Sequence, residues 1–364
     1  MAERYLLMCA DKCIAEFTGA WKIHIPELMP KGLNLKHKTI LGTPSALEGF
    51  QAWLAGRVLS IDRMFAKQLL IKLKLTQDQD IYAKAKIALE FRGINLIDSY
   101  WLKTAGEYES VKWADVNLRV NPLSNIISCI SLTGSAQSLQ PDNMKNNAEI
   151  TTVGLCAKGW FRENDGLYLY KAGGYIGDEV DREVCASEII DCFNVYGNLK
   201  YEKAVKHGVE CSRSKLMSDD KISIVHTADM MIWCKNNSVD FMEYVKKRWL
   251  KEYAQMVVID YLIANSDRHF RNWGFYEETE SGKILGLHPL YDHNQAFHSD
   301  YLENENLEAT AAPEYTQKEL AEQYIGFSGL RMIRQPERQE FPSEYAYGVF
   351  VERCGQLGLL PFYQ

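Results

Sequence analysis

Three side chains that carry oxygen atoms lie in polar segments of the second half of the sequence. They are Asp267, Asn272 five residues later, and Asp292 twenty residues after that. Carboxylate and amide oxygens are ligands that magnesium prefers, and a carboxylate that stays off the metal can face a hydroxyl nucleophile. This order of residues is typical of phosphoryl transfer. It predicts Asn272 and Asp292 as magnesium ligands and Asp267 as the catalytic carboxylate.

Periodicity and turn signals predict the elements around these residues. A long helix is predicted to begin at Ser238, a good N-cap residue, and the segment 265–272 follows its end as a loop. Two strands, over 273–276 and 283–287, are predicted next, and Asp292 comes just after the second of them. The tail from Tyr315 onward has mostly helical spacing. The three polar side chains are therefore expected in loops next to regular elements, where active sites are common.

A hairpin and a helix are predicted upstream of this region. The dipeptide Asp165-Gly166 is a strong signal for a tight turn, here between strands over 159–161 and 167–171. The apolar spacing over 179–193 is helical. This part of the chain therefore reads as a small sheet followed by a helix.

Lys171 ends the second strand of the predicted hairpin, and Glu183 lies on the predicted helix. Glu183 shares one side of that helix with Ala186 and Ile190, and a carboxylate on an apolar side needs a cation as partner. An ion pair between Lys171 and Glu183 accounts for both residues. Without Glu183, a strand-end lysine that extends into water would account for Lys171.

Other residues of the region have two interpretations each. Lys158 is either a phosphate contact or a solvated loop lysine, and Arg268 either serves the loop backbone or a phosphate, or forms a surface salt bridge. The spacing of Asp267 and Asn272 is common in polar loops when it stands alone. It is the order of the whole set along the chain that favours phosphoryl transfer.

Four histidines within thirty residues raise the alternative of a zinc hydrolase. They are His269, His288, His293 and His298. No His-Glu-x-x-His or other close ligand spacing occurs among them, and the carboxylate and amide oxygens of the same region suit magnesium better than zinc. The sequence therefore favours magnesium.

The segment 265–272, followed by Leu290-Tyr291-Asp292, resembles the HipA-like serine/threonine kinases of bacteria and, more distantly, the phosphatidylinositol kinases. Residues 151–160 resemble the phosphate loop of the HipA-like family. Leu169-Tyr170-Lys171 resembles its nucleotide-contacting lysine strand, and residues 181–184 resemble the start of its glutamate-bearing helix. The pieces occur in the order that the family requires.

The resemblance covers about residues 100 to 300 well and implies an α+β, two-lobed, protein-kinase-like fold. Residues 1–195 would form the N-terminal lobe, and residues 196–364 a mostly helical C-terminal lobe. The N-terminal lobe would comprise a family-specific subdomain over 1–140 and a part over 150–195 with the phosphate loop, the lysine strand and the glutamate helix. ATP is expected between the lobes.

The resemblance also implies a role for each site residue. Lys171, paired with Glu183, would hold the α- and β-phosphates of ATP. Magnesium bound by Asn272 and Asp292 would bridge the phosphates, while Asp267 faces a serine or threonine hydroxyl of a protein substrate. Three further residues are expected at the nucleotide: Thr152, Gly154 and Lys158.

Other properties of the HipA-like family are implied in the same way. His269 is expected to orient the catalytic loop. Members often act as toxins or effectors and pair with a small helix-turn-helix antitoxin, and their phosphate loop can carry a phosphorylated serine, which implies autophosphorylation here at Thr151 or Thr152. The alternatives are a catalytically weak pseudokinase or nucleotide-binding scaffold and, third, a lipid or small-molecule kinase.

Composition and charge narrow the class of protein. The chain has 364 residues, 46% hydrophobic and 24% charged, as expected of a folded globular protein with two or three domains. A formal net charge of −7 argues against direct nucleic-acid binding through phosphates. The nine cysteines form no Cys-x-x-Cys pair, and neither a signal peptide nor a membrane-spanning apolar run is present. These features predict a reduced cytoplasmic protein with no membrane partner.

Overall fold

The computed structural model describes residues 4–107, 110–136, 140, 142–174, 177–304 and 306–360. The strands within these residues are β1 Tyr5–Cys9, β2 Lys12–Phe17, β3 Trp21–Ile23, β4 Tyr100–Thr104, β5 Lys158–Glu163, β6 Gly166–Ala172, β7 Glu202–Lys206, β8 Val209–Lys215, β9 Ile222–His226, β10 Gly274–Glu278 and β11 Ile284–Leu287. They pair antiparallel in three sheets, with the orders β3-β2-β1-β4, β5-β6-β8-β7 and β11-β10-β9.

The helices of the described residues are distributed along the whole chain. They are α1 Ala46–Ala55, α2 Ala66–Lys72, α3 Ile81–Glu90, α4 Trp113–Val116, α5 Asn125–Thr133, α6 Glu179–Ile190, α7 Thr227–Asn237, α8 Phe241–Leu262, α9 Ser299–Leu302, α10 Gln317–Ser328 and α11 Glu344–Gln356. The three small antiparallel sheets and these helices form the α+β, two-lobed arrangement that the sequence predicted.

The central strand of the first sheet, β1, is covered on both faces. Because side chains alternate along a strand, Leu7 and Cys9 pack under α1, α2, α3 and α5, whereas Leu6 and Met8 face a second cluster. That second cluster includes Trp160 of β5. The N-terminal sheet is therefore packed against the sheet that follows it in the chain.

The second sheet carries Lys171 and confirms the predicted hairpin. β5 and β6 are joined at Gly166, and the register places Lys158 directly opposite Lys171. The helix α6, which confirms the helix predicted over 179–193, packs on β6, β7 and β8. Because β7 and β8 belong to this sheet, it extends past residue 195, the predicted end of the N-terminal lobe.

The helix α8 leads directly to the predicted catalytic segment. It begins after Asp240, whose carboxylate accepts a hydrogen bond from the backbone N–H of Glu243, so the predicted start at Ser238 is wrong. Ser238 instead ends α7 with a left-handed φ of 57°. The helix is interrupted at Trp249, and its second half is almost entirely buried. That burial fixes the end from which the catalytic segment leaves.

The third sheet and the last helices complete the C-terminal half. β10 and β11 confirm the two strands predicted after the catalytic segment. The helix α10 packs along α8, and α11 adds Phe350 and Cys354 to the same core, so the predicted helical tail is confirmed. Within the described residues, no helix combines the length and the apolar character needed to cross a bilayer.

Candidate active site

Residues 265–272, here called the catalytic loop, turn sharply away from the end of α8. Ala264 has a φ of 50°, and the backbone N–H of Asn265 donates to the carbonyl oxygen of Asp260 at 2.9 Å. A left-handed residue with such a bond is a common way to end a helix. The turn leaves the side chain of Asp267 42% exposed. The predicted catalytic carboxylate is therefore accessible to a substrate.

Asp267 and Asn272 meet within the catalytic loop. The side-chain Nδ2 of Asn272 donates to the carbonyl oxygen of Asp267 at 2.8 Å and to its Oδ2 at 3.3 Å. These bonds fix the orientation of the amide. Among the described residues no donor forms a hydrogen bond with Oδ1 of Asn272. This oxygen can therefore coordinate a metal ion.

Asp292 lies after β11 and directs its carboxylate at Lys171. Its Oδ1 accepts a hydrogen bond from Lys171 Nζ, and its backbone N–H donates to the hydroxyl of Tyr201 at 3.0 Å. Burial acts to raise the pKa of Asp292, but the ammonium groups of Lys171 and Lys158 hold that pKa below its ordinary value. Asp292 is therefore ionised at neutral pH.

The ion pair predicted between Lys171 and Glu183 is present. Lys171 Nζ lies 2.9 Å from Glu183 Oε1, and the two side chains are 8% and 1% exposed. The hydroxyl of Ser212 donates to the other carboxylate oxygen of Glu183. Burial lowers the pKa of Lys171, but the carboxylates of Asp292 and Glu183 raise it well above its ordinary value. Lys171 thus joins α6 to Asp292 and does not extend into water.

Within the predicted phosphate loop, 151–160, residues 152–157 connect a 3₁₀ turn to β5. Three of their carbonyl oxygens accept hydrogen bonds from the body of the protein. The pairs are Thr152 with Arg63 Nη1 at 3.1 Å, Val153 with Lys158 Nζ at 3.0 Å, and Leu155 with Met64 N–H at 2.8 Å. In a trans peptide the carbonyl oxygen and the following N–H point in opposite directions. The next N–H groups therefore point away from these donors.

Those N–H groups belong to Val153, Gly154 and Cys156. Across the described parts of the chain, none of the three donates a hydrogen bond to a protein acceptor. Successive free backbone N–H groups in a loop form a concave site for anions. The loop geometry therefore fits phosphate groups, although it contains a single internal glycine.

Lys158 is buried below this loop. The interpretation as a solvated loop lysine is wrong, because its side chain is shielded from solvent and its Nζ donates to Val153. Burial, with the nearby charge of Lys171, lowers the pKa of Lys158 to about 8. Gly154 has a φ of 103°, and a Cβ atom there would lie 2.3 Å from Lys158 Nζ. The glycine thus leaves room for this ammonium group.

Thr151 and Thr152 both use their hydroxyl groups within the fold. Each hydroxyl donates to the carbonyl oxygen of Ala148, and the Thr152 hydroxyl also accepts from the indole N–H of Trp160 at 2.9 Å. Thr151 ends a 3₁₀ turn and does not begin a strand. Transfer of phosphate to either residue requires these bonds to break, and autophosphorylation here stays a prediction.

His269 lies beside the carboxylate of Asp267. Its Nε2 is 3.8 Å from Asp267 Oδ1, and its Nδ1 accepts a hydrogen bond from the backbone N–H of Arg271 at 3.1 Å. Because Nδ1 is the acceptor, the neutral ring carries its proton on Nε2, the atom that faces Asp267. This contact agrees with the predicted role of His269 in orienting the loop.

Arg268 serves the loop backbone, as one of its two interpretations predicted, and its partner Asp260 is the site residue that the sequence did not indicate. Arg268 Nη2 lies 3.0 Å from Asp260 Oδ1, and both side chains are buried. Arg268 Nη1 also donates to the carbonyl oxygens of Asn272 at 2.7 Å and Tyr291 at 2.6 Å. A surface salt bridge is therefore the wrong interpretation of Arg268. One guanidinium group ties α8, the catalytic loop and the segment before Asp292 together.

The histidines after β11 serve the interior. His293 Nδ1 lies 3.2 Å from Arg268 Nη2, and His288 Nδ1 bonds to the carbonyl oxygen of Pro289. Burial lowers the pKa of His288 to about 3. In the ranges that the structure describes, no three His, Cys, Asp or Glu side chains are grouped so as to hold a metal. The histidine cluster thus offers no preformed zinc site there.

A comparison with protein-family models identifies the relationship. The model described as phosphatidylinositol 3- and 4-kinase matches residues 124–318, more than half of the chain. The chain belongs to this family. The range matched by the kinase family includes the phosphate loop, Lys171, Glu183, the catalytic loop and Asp292. The family is one of phosphotransferases, and no curated protein matches the sequence significantly.

Two solved structures are similar to this member of the kinase family. HipA of the Shewanella oneidensis MR-1 toxin–antitoxin system, solved with HipB and its operator DNA, aligns over 99% of this chain and 92% of its own, with a TM-score of 0.50 and 11% identity. The Helicobacter pylori proinflammatory kinase CtkA aligns over 56% of this chain and 88% of its own, with a TM-score of 0.42 and 13% identity. The alignment with HipA shows a HipA-like, kinase-like fold.

The chemistry of the kinase cleft fits a magnesium ion. Asn272 presents an amide oxygen that no donor in the described ranges reaches, and Asp292 presents an ionised carboxylate on the segment after β11. Both are hard oxygen ligands, and magnesium commonly takes only one or two protein groups together with phosphate oxygens. Asn272 and Asp292 are therefore the residues that would hold the ion.

The buried ion pair between Arg268 and Asp260 gives the first prediction. We expect Arg268→Met to lower the free energy of unfolding by about 3–5 kcal/mol, because it leaves the Asp260 carboxylate buried without a cation. Denaturant titration measures the effect. Arg338→Met is the control, because Arg338 pairs with Glu344 on the exposed surface and should leave the unfolding midpoint unchanged. Equal stability of both variants would contradict the assignment.

Proposed function

We propose that the chain is an ATP- and magnesium-dependent serine/threonine protein kinase of HipA-like type. The observation that carries the proposal is the contact of Lys171 with both Glu183 and Asp292. It brings a phosphate-binding cation to the residue expected to bind metal, and Arg268 ties that segment to the catalytic loop with Asp267. Packing of the core alone does not require a lysine in contact with two carboxylates.

The nucleotide phosphates would lie between the phosphate loop and the two lysines. Lys171 and Lys158 stand opposite each other on adjacent strands, and both are buried. Their charges, together with the backbone N–H groups of Val153 and Cys156, suit the α- and β-phosphates of ATP. In this role Glu183 fixes the position of Lys171 and does not touch the nucleotide.

The metal would be held by Asn272 Oδ1 and the carboxylate of Asp292. When bound, magnesium supplies positive charge that compensates the triphosphate during transfer. The protein's part is to keep both ligands in place: Asp267 accepts from the Asn272 amide and so orients it, and Tyr201 accepts from the Asp292 backbone N–H. Arg268 links the two segments behind them.

Asp267 would accept or orient the proton of the substrate hydroxyl. Burial raises the pKa of its carboxyl group above the ordinary value, and the nearby Asp292 adds to this, while His269 opposes it. A carboxylate with a raised pKa is a stronger base. Its partial exposure gives a serine or threonine of a protein substrate access to it.

A lipid or another small molecule is the second candidate substrate, because the matching family model is named for phosphatidylinositol kinases. Both candidates use the same cleft, so the nature of the phosphorylated product distinguishes them. The pseudokinase alternative predicts nucleotide binding without transfer. The toxin or effector role and the small helix-turn-helix partner stay predictions. They are worth testing because the similar HipA structure was solved with HipB.

We expect Asp292→Asn to abolish most of the dependence of ATP affinity on magnesium. In the unchanged protein magnesium should strengthen ATP binding by about tenfold or more. The variant should lose this effect, because a neutral amide compensates the charge of the ion less well than a carboxylate does. Calorimetric titration with and without magnesium measures both affinities. Asp267→Asn is the comparison variant and should keep the magnesium effect. Equal magnesium dependence in the Asp292 variant would remove Asp292 from the metal site.

A further inference from the structure

The phosphate loop is held by a segment of the chain that the kinase family model does not cover. Arg63 and Met64 lie just before α2, in the N-terminal part of the protein, and the family match begins at residue 124. Both residues nevertheless donate hydrogen bonds to the loop 152–157. The loop is therefore shaped by contacts with a distant part of the sequence.

Arg63 forms hydrogen bonds at both ends of the loop 152–157. Its side chain is 2% exposed. The guanidinium group reaches four acceptors at the two ends of the loop: the carbonyl oxygens of Glu149, Thr152 and Lys158 and the hydroxyl of Ser131. Ser131 in turn donates to the Lys158 carbonyl oxygen at 2.6 Å. The planar fork thus fixes where the chain enters and leaves the loop.

The charge of Arg63 is directed at backbone carbonyl oxygens. Among the described residues its guanidinium forms no ion pair within 4 Å, whereas Arg57 of the same N-terminal part, which is also buried, is paired with Asp98 at 2.8 Å. Burial lowers the pKa of Arg63 to about 10, and the buried Glu149 carboxylate, which lies farther than 4 Å from the guanidinium, partly opposes this shift. The N–H groups of this cation donate to carbonyl oxygens at both ends of the loop.

We propose that Arg63, with the backbone N–H of Met64, is a positioning residue for the anion site of the phosphate loop. The two donors hold the carbonyl oxygens of Thr152 and Leu155 toward the N-terminal part. The N–H groups of Val153 and Cys156 then point to the opposite side, where the nucleotide phosphates would lie. The inference rests on the proposed function for its ligand, and on geometry alone for the shape of the loop.

The competing explanation is that Arg63 only stabilises the core. Lys substitutions at Arg63 and Arg57 separate the two explanations, because each keeps a buried cation and loses the planar fork. In Arg57→Lys the pair with Asp98 is retained and the loop is untouched. In Arg63→Lys a single ammonium group cannot reach the acceptors at both ends of the loop. Arg63→Met removes the donors altogether.

The reactivity of the Cys156 thiol measures how often the loop opens when no nucleotide is present. This thiol is partly exposed and accepts a hydrogen bond from the Asn294 side chain at 3.7 Å. The rate of its alkylation by iodoacetamide, read by mass spectrometry of the Cys156 peptide, measures how freely the loop opens. Calorimetric titration with magnesium and ATP measures the affinity of the same preparations.

We expect Arg63→Met to raise the alkylation rate of Cys156 and to weaken ATP binding, each by about tenfold. Arg63→Lys should lie between this variant and the unchanged protein, and Arg57→Lys should match the unchanged protein in both measurements. Should Arg63→Met not fold, Arg63→Lys decides on its own.

An unchanged alkylation rate in the Arg63 variants, or an equal rise in Arg57→Lys, would overturn the positioning role. A faster alkylation with no ATP binding in any preparation would support the loop geometry and reject the proposed function. The two failures are therefore distinguishable.

Discussion

Asp267→Asn is expected to reduce the rate of phosphoryl transfer by about a thousandfold or more, while the affinity for magnesium and ATP changes by less than about threefold. The amide has the shape of the carboxylate and can still accept the hydrogen bond from Asn272. It cannot accept the proton of a hydroxyl nucleophile. Because Asp267 is assigned neither to the metal nor to the phosphates, binding should survive its loss.

Single-turnover transfer from labelled ATP measures the rate, and calorimetry measures the affinity in the same preparation. Asp300→Asn is a suitable control, because Asp300 is 78% exposed on α9 and belongs to none of the contacts of the cleft. It should transfer phosphate at the unchanged rate. An Asp267 variant that keeps more than about a tenth of the activity would show that this carboxylate is not the catalytic group.

The second large effect is expected at the pair of Lys171 and Glu183. Lys171→Met and Glu183→Gln should each lower the rate of transfer by about a hundredfold, and the double variant should lose little more than Lys171→Met alone. The reason is that Glu183 acts by holding Lys171 in place. When the ammonium group of Lys171 is absent, the carboxylate of Glu183 has no group left to position.

Lys203 and Asp181 offer a matched control for this cycle. They also join a strand of the second sheet to α6, but both side chains are 53% exposed. Substituting Lys203→Met should leave the rate unchanged, because screened surface pairs contribute little. Thermal unfolding confirms that each variant is folded. If the losses at Lys171 and Glu183 multiply fully in the double variant, the two residues act independently and the assignment is wrong.

The elements with strong local signals were predictable from the sequence. The Asp165-Gly166 turn fixed the hairpin, and apolar spacing identified α6. The strands β7 and β8 were missed because they are rich in charged residues, three in each. Their turn at His207-Gly208 has positive φ values at both residues, 50° and 79°, which is the conformation of a tight hairpin turn. The glycine was the available signal.

The start of α8 shows a different limit. Ser238 and Asp240 are both good N-cap residues, and the sequence does not rank them strongly. In the fold, Ser238 is needed to end α7 in the left-handed conformation, so the helix begins only after Asp240. The choice between the two caps was made by the preceding helix, which had not been predicted there.

The site was predictable where its residues follow a family pattern and unpredictable where distant segments meet. Lys171, Glu183 and Asp292 were named from order and spacing, and the structure brings them together. Arg63 contacts the phosphate loop across about ninety residues of chain, and no local pattern announces it. For Arg268 the signal was Asp260, a carboxylate inside an apolar stretch that needed a buried cation.

The most direct test of the proposed activity is the chemical identity of the phosphorylated product. The purified protein is incubated with γ-labelled ATP, magnesium, and either a protein extract or phosphatidylinositol vesicles, in parallel with the Asp267→Asn variant. Phosphoamino-acid analysis and lipid extraction then locate the label. We predict phosphoserine or phosphothreonine with the unchanged protein and none with the variant. Label confined to lipid, no label at all, or equal labelling by the Asp267 variant would contradict a serine/threonine kinase built on this cleft.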